Sequence, residues 1–468
     1  MDVWYLPSVL AWIEDLLCER FGLKLSVRAL ANDRLVISLP GSNQLIELPA
    51  MGSVFTRRTS SLPCASWPGV IEGWRMPTES FLPAPGADAL PTPLITSTPD
   101  GWHIAYDILG LTYWALCRIE EIGRTDLDGH GRFPAKASHA YRHGYLERPI
   151  VDEWLDILGQ VMVRNWPGLV LKQHDFSIKV SHDVDHPSRY GFCSIGSLAR
   201  RMSRDVLKLK GVKGAVLAPC VRVRTRNRLH PADSFNTFDW IMDQSEQRNL
   251  VSAFYFICSH TDPRDGEYRL GHPAIRDLLR RIYERGHEIG LHPGYGSFQD
   301  PALIAAQAEQ LREVMAEENI HQSILGGRMH FLRWEHPTTL QAWADAGMTY
   351  DSTLGYADHV GFRCGTCFEY QSFNPVTQQV LPLRMRPLVA MEWTVMAPGY
   401  MGLGTGRGAY VVLERLKKTC RAVNGNFTLL WHNSMFETTA QRSLYVSLLT
   451  TEARYMIGEM PQSTILKS

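Results

Sequence analysis

Between residues 176 and 186 the chain reads Phe-Ser-Ile-Lys-Val-Ser-His-Asp-Val-Asp-His, a strand-length apolar run that ends in a crowd of ionisable side chains. The same transition recurs twice. Glu288-Ile289-Gly290-Leu291 leads into His292-Pro293, and Phe427-Thr428-Leu429-Leu430-Trp431 leads into His432-Asn433. Ser252 to Ile257 also reads as a strand, as does the stretch near Ile324 to Phe331. Helical spacing separates them. Ile275, Leu278, Leu279 and Ile282 share one face of a run from Ala274 to Arg285 that Gly286 stops, and further helical runs span Pro301 to Glu318 and Thr338 to Ala346. Strands alternating with helices favour a parallel sheet, doubly wound or closed as a barrel. Both forms deliver the C-terminal ends of their strands to a common edge, so three ionisable strand ends in one array are expected to meet.

The chain has 468 residues, more than one ordinary core serves at roughly 100 to 200 residues per domain. Its first part has a different texture. Val9, Leu10, Ile13, Leu16, Leu17 and Phe21 fall at helical spacing before Gly22, and Leu23 to Val27 and Leu35 to Leu39 read as strands around a turn at Asn32-Asp33. The Pro-rich stretch from Leu82 to Pro99 reads as an irregular connection, and apolar helices are expected around Tyr106 to Ile122 and Val151 to Asn165. The division follows: an α+β accessory domain over 1–150, and an α/β catalytic domain over 151–468 that contains a basic insertion at 200–230.

Forty-five per cent apolar and 21 per cent charged residues make a globular composition, and 48 basic against 48 acidic side chains leave no global field to draw the chain onto nucleic acid. No apolar run approaches the roughly 18 residues of a membrane span, and the start Met1-Asp2-Val3-Trp4-Tyr5 lacks the marks of a signal peptide, so a cytoplasmic protein is expected. Nine cysteines form no dense framework, and Cys364 and Cys367 have no second pair to complete a zinc knuckle. One stretch is locally basic. Arg200, Arg201, Arg204, Lys208, Lys210, Lys213, Arg222, Arg224, Arg226 and Arg228 are opposed only by Asp205. That stretch is either a solvated insertion or a surface for an anionic partner such as a lipid headgroup.

The chemistry concentrates at Asp183 and Asp185. Residues two apart on an extended backbone share a face, so both carboxylates aim at one point, which is costly unless a cation or a proton lies between them. His292 and His432 end their strands in the same array. A lone strand-end histidine is usually structural; several together suit a metal or acid–base centre.

Val180-Ser181-His182-Asp183-Val184-Asp185, Gly-His-Glu-Ile-Gly-Leu-His at 286 to 292 and Leu-Leu-Trp-His at 429 to 432 resemble, in order and spacing, the first, second and last motifs of the NodB-like polysaccharide deacetylases. The resemblance covers roughly residues 170 to 445. The Asp-Val-Asp form and Arg-Met-His-Phe-Leu-Arg at 328 to 333 are similar to a subgroup found with surface-glycan biosynthesis, which also carries an N-terminal domain. The resemblance implies a distorted (β/α)7-type barrel and a divalent metal, usually zinc. It gives Asp183 the role of general base, Asp185 and His292 those of metal ligands, and His432 that of general acid. It implies an N-deacetylase acting on an acylated amino sugar or glycan, carried on a larger acceptor, in surface-polysaccharide assembly. The alternatives are an amidohydrolase acting on a non-sugar carbon–nitrogen bond and a catalytically weak glycan-binding protein.

One position departs from the pattern. The family places a second histidine four residues after the first, where this chain has Gly296. His330 is the expected replacement ligand, sharing a strand face with Arg328, and His186 the second choice. Arg328 is expected to orient the base, with Arg333 the competing assignment for that role and otherwise a substrate contact. Asp351 stands in a partial fourth motif or caps a turn. Trp393, Trp334 and Trp431 are candidates to stack on a sugar ring, and Trp393 is assigned to substrate.

Overall fold

A computed structural model describes residues 3–207 and 212–450. The chain opens with a helix, Pro7–Phe21, which Gly22 ends in the left-handed conformation at φ 73°. Strands β1 (Ser26–Leu30) and β2 (Arg34–Ser38) form a hairpin whose turn residues Asn32 and Asp33 both take positive φ. β3 (Leu45–Pro49) continues that sheet. β4 (Cys64–Trp67) and β5 (Leu82–Pro85) make a separate pair, and β6 (Ile95–Thr98) and β7 (Gly101–Ile104) return to complete a mixed sheet in the order β1-β2-β3-β7-β6. The stretch expected to be irregular over 82–99 thus contains two strands. Pro83 and Pro85 lie in β5, which pairs only with β4 among the described residues, where a missing N–H costs little. The helix Ile150–Asn165 packs on β3, β5 and β7.

The larger sheet contains β8 (Ser177–Val184), β9 (Ser252–Phe256), β10 (Glu288–Leu291), β11 (Gly326–Gly327), β12 (Tyr350–Asp351), β13 (Tyr370–Asn374), β14 (Gln379–Met385), β15 (Ala390–Met391) and β16 (Asn426–Leu430), in the order β13-β14-β12-β11-β10-β9-β8-β16-β15. All pairings are parallel except that of β13 with β14. This is an α/β protein with an N-terminal mixed sheet and a large, mostly parallel one. The large sheet ends at two edges, β13 and β15, and among the described residues no ladder joins them.

β8 is longer than its apolar run, because its ladder continues through His182 and Asp183 to Val184. β11 is far shorter than the strand expected over 324–331. A Cβ on Gly327 would stand 1.9 Å from the Leu291 carbonyl, and one on Gly326 would overlap the Tyr350 ring at 2.1 Å. Only glycine lets β11 pass between β10 and β12. His330 therefore does not share a strand face with Arg328. It opens a short 3-10 turn, His330–Leu332, in which Phe331 and Leu332 take φ of 61° and 56°.

Candidate metal centre and acid–base site

The C-terminal ends of β8, β10, β11, β15 and β16 meet at a cleft of about 730 Å³. Asp183, still within β8, and Asp185, just beyond it, point the same way, as alternation along a strand requires. His182 points oppositely and is core: its Nδ1 donates to the Trp431 carbonyl at 2.6 Å, and burial drives its pKa down to about 3.

Asp183 is held by Arg328. The guanidinium is wholly buried; its Nη1 donates to Asp183 Oδ1 at 2.7 Å, its Nη2 to Ser181 Oγ at 2.9 Å and Ser352 Oγ at 3.0 Å, and its Nε to the Ser352 carbonyl at 2.9 Å. Arg333 does not reach Asp183. It donates to the carbonyls of His130 at 2.7 Å and Tyr295 at 2.5 Å and lies over the Tyr295 and Phe298 rings. Of the two arginines that the sequence leaves open for orienting Asp183, Arg328 makes the contact.

Asp185, His292 and His330 converge, with ligand-capable atoms all within 4.8 Å of one another. Asp185 Oδ1 stands 3.2 Å from His292 Nε2 and 3.6 Å from His330 Nε2. Each imidazole is oriented through its other nitrogen. His292 Nδ1 donates to the Arg328 carbonyl at 2.6 Å, and His330 Nδ1 donates to Asp265 Oδ1 at 2.8 Å. A ring fixed in this way turns Nε2 toward the centre, as in metal sites whose outer carboxylates and carbonyls set the tautomer. Asp185 Oδ1 and His292 Nε2 are both buried without a hydrogen-bond partner. Buried polar atoms are rarely left so, and two facing each other fit a cation that accepts both. The donor set of two imidazoles and one carboxylate suits a divalent metal. Gly296, where the family motif places a histidine, lies in a turn and donates its N–H to Thr261 Oγ1 at 2.8 Å, and His330 comes in from β11 instead.

His432 lies across the cleft, its Nε2 3.6 Å from Asp185 Oδ2. Its Nδ1 donates to Glu392 Oε1 at 2.6 Å, and its backbone N–H donates to the same oxygen at 3.0 Å. Burial alone would lower its pKa, but Glu392, then Asp185 and Asp183, outweigh it and raise the value to about 10. Asp185 moves the other way. Burial is overcome by His330, His292 and His432, and its carboxyl falls well below the usual range.

Other candidates scatter. His186 lines the cleft outside the trio. Asp351 caps its own turn, with Oδ1 accepting the Thr353 N–H at 2.8 Å. Trp334 and Trp431 are buried, whereas Trp393, on the short helix after β15, is 45% exposed at the cleft wall. All nine cysteines are free, with Cys364 and Cys367 buried. Sequence reasoning missed Glu392 and Asp265. Val389-Ala390-Met391-Glu392 is an apolar run ending in a carboxylate, the same signal that marks β8. Asp265 sits in the long loop after β9, where no periodicity points to it. Arg132, from the N-terminal part, was missed too: it lines the cleft and donates through Nη1 to the Phe331 carbonyl at 2.9 Å.

Residues 42–167 match DUF7033, described as a family of unknown function. No curated protein matches the chain. Among solved structures, a protein of Mycobacterium smegmatis provisionally assigned as a polysaccharide deacetylase aligns at 16% identity, over 61% of this chain and 84% of that one, with a TM-score of 0.38. Puue allantoinase aligns at 13% identity over 61% and 85%, with a TM-score of 0.34. A Pseudomonas aeruginosa PAO1 protein, also provisionally a polysaccharide deacetylase, aligns at 13% identity over 61% and 85%, with a TM-score of 0.36. Superpositions this loose leave the chemistry to be read from the side chains.

Proposed function

We propose that the cleft hydrolyses a carbon–nitrogen bond with a divalent metal, and that its substrate is the N-acyl group of an amino sugar in surface-polysaccharide assembly. The observation that carries the reading is the abutment of a carboxylate held by a buried guanidinium, Asp183 with Arg328, on three convergent ligand-capable side chains, two of which, Asp185 and His292, present buried atoms with no hydrogen-bond partner. Asp185, His292 and His330 would hold the ion, with zinc the expected metal; three protein ligands leave a catalytic site its open position. When bound, such an ion supplies Lewis acidity toward the acyl carbonyl and the attacking water.

The remaining work belongs to the chain. Asp183, fixed by Arg328, accepts the proton of the water that attacks the acyl carbon. As the carbon–nitrogen bond breaks, His432 gives its proton to the departing amine, and Glu392 holds that imidazole in its protonated form. The products are the free amine and the carboxylate of the acyl group. Trp393 offers an exposed aromatic face for a sugar ring, and Arg132, buried and paired with Asp128, lines the same cleft. Arg333 stands behind this wall: it holds the carbonyls of His130 and Tyr295, whose rings pack on Phe331 of the cleft lining.

Protein purified without chelator is expected to contain one divalent ion per chain, lost in His292→Ala and His330→Ala, and to release acetate from N-acetylated amino sugars. Asp183→Asn should keep the ion and lose turnover by at least about a hundredfold. Absence of the ion together with absence of acetate release would sink the reading. Ammonia or formate released from other amides in place of acetate would move the substrate away from sugars.

A further inference from the structure

The basic insertion is a pair of helices, Ile195–Leu207 and Val212–Arg224, packed on each other. Their inward faces are small and apolar: Leu198 and Met202 from the first helix meet Ala218, Val221 and Tyr190. A solvated hairpin would be polar across its other side, but this one carries an apolar stripe there. Val216, Pro219, Cys220 and Val223, at i, i+3, i+4 and i+7, form the outward stripe of the second helix, with Val216 70% and Val223 59% exposed. On the first helix Ile195, Ala199 and Val206 share an outward line, and Ile195 is 85% exposed. The second helix is therefore apolar on both faces while one of them is open, an arrangement that a surface helix adopts for a partner or an interface.

The charges beside the stripe select the partner. Arg200, Arg204, Arg224 and Arg226 are all exposed around it, and the one acidic residue of the segment, Asp205, is buried against Arg189 and Tyr190. An exposed apolar ridge bordered by arginines is the composition of a helix lying in a membrane interface. At thirteen residues each, neither helix could span a bilayer. A second copy on this face would set arginines against arginines. We infer that the helix pair docks on a bilayer rich in anionic headgroups, with the Val216–Val223 stripe and Ile195 entering the acyl boundary and the arginines among the phosphates. Arg189, Arg204 and Asp205 also line the cleft, so docking sets its mouth against the membrane. The docking stands without the proposed activity. Only the consequence that a lipid-carried sugar is presented there rests on that reading.

The full chain is tested by cosedimentation with phosphatidylcholine vesicles, with and without phosphatidylglycerol, a measurement that needs no turnover. Binding is expected only to the anionic vesicles and should weaken with salt. Val216→Ser with Val223→Ser is expected to weaken it about tenfold, and Arg200→Gln with Arg224→Gln roughly twentyfold, both with the wild-type melting curve. Equal binding to neutral vesicles, no binding to either, or undiminished binding by both double variants would overturn the inference. So would a self-association lost with the two valines, which would assign the face to a second copy. If the serine variant does not fold, the arginine variant decides alone.

Discussion

Three histidines in the same cleft answer to two opposite requirements. His292 and His330 turn Nε2 toward Asp185, and each gives its Nδ1 proton to an oxygen behind it. His432 gives its Nδ1 proton to Glu392, and that carboxylate, with Asp185 and Asp183 beyond it, keeps the ring charged against the pull of burial, with a pKa of about 10. The value is raised, so the charged form is present below it and is lost as pH rises through it. An acid of this kind sets the alkaline limb of a rate profile. Glu392→Gln removes the nearest anion, and the alkaline limb of kcat/KM is expected to move to lower pH while the acid limb stays. A limb that does not move would show that another group sets it.

At the scale of elements, what was legible and what was hidden follow from the kind of signal. The strand β8 and the helices after β9 and β10 announce themselves by period, and Asp183 and Asp185 by their place at a strand end. His330 was reachable only because Gly296 left a ligand missing. The route to it differs from the one expected: a left-handed turn places it, and φ above zero at Phe331 and Leu332 leaves no mark in a hydrophobic pattern. β11 was legible as a strand but its bounds were not, because two glycines carry no side-chain period, yet they fix its place. Gly327→Ala would put a methyl group 1.9 Å from the Leu291 carbonyl, with other backbone atoms of Leu291 at 2.8 and 2.9 Å. The change is expected to cost about 3 kcal/mol or more, read as a lower urea midpoint. An unfolding free energy within about 0.5 kcal/mol of wild type would mean that β10 and β11 can part without penalty.

On the scale of the whole molecule, the two sheets are joined through charge as well as through apolar packing. Glu121, from the first part of the chain, is buried between Arg118 and Arg363, accepting from Arg363 Nη2 at 2.6 Å and Arg118 Nε at 2.9 Å. Burial would raise its pKa, but Arg363 and then Arg118 lower it to about 2. A depressed carboxyl stabilises the fold above its unfolded value of about 4.3 and loses that contribution as pH falls toward 2. Acid unfolding in that window is expected to be shallower in a Glu121→Gln, Arg363→Met double variant, measured as urea stability against pH. An unchanged slope would remove Glu121 from the account.

The helix Pro7–Phe21 packs on β13, with Trp12 Nε1 donating to the Gln371 carbonyl at 2.8 Å and the Trp12 ring 5.4 Å from Phe373. β13 is an edge strand, and a bare edge offers unpaired backbone groups to any neighbouring chain. The opening helix thus acts as a guard rail for the distant sheet. A nascent chain can shield that edge as soon as it forms, since the helix that covers it is made some 350 residues earlier, and a protein clipped within its first turns would be prone to stick to its own kind before it lost any chemistry.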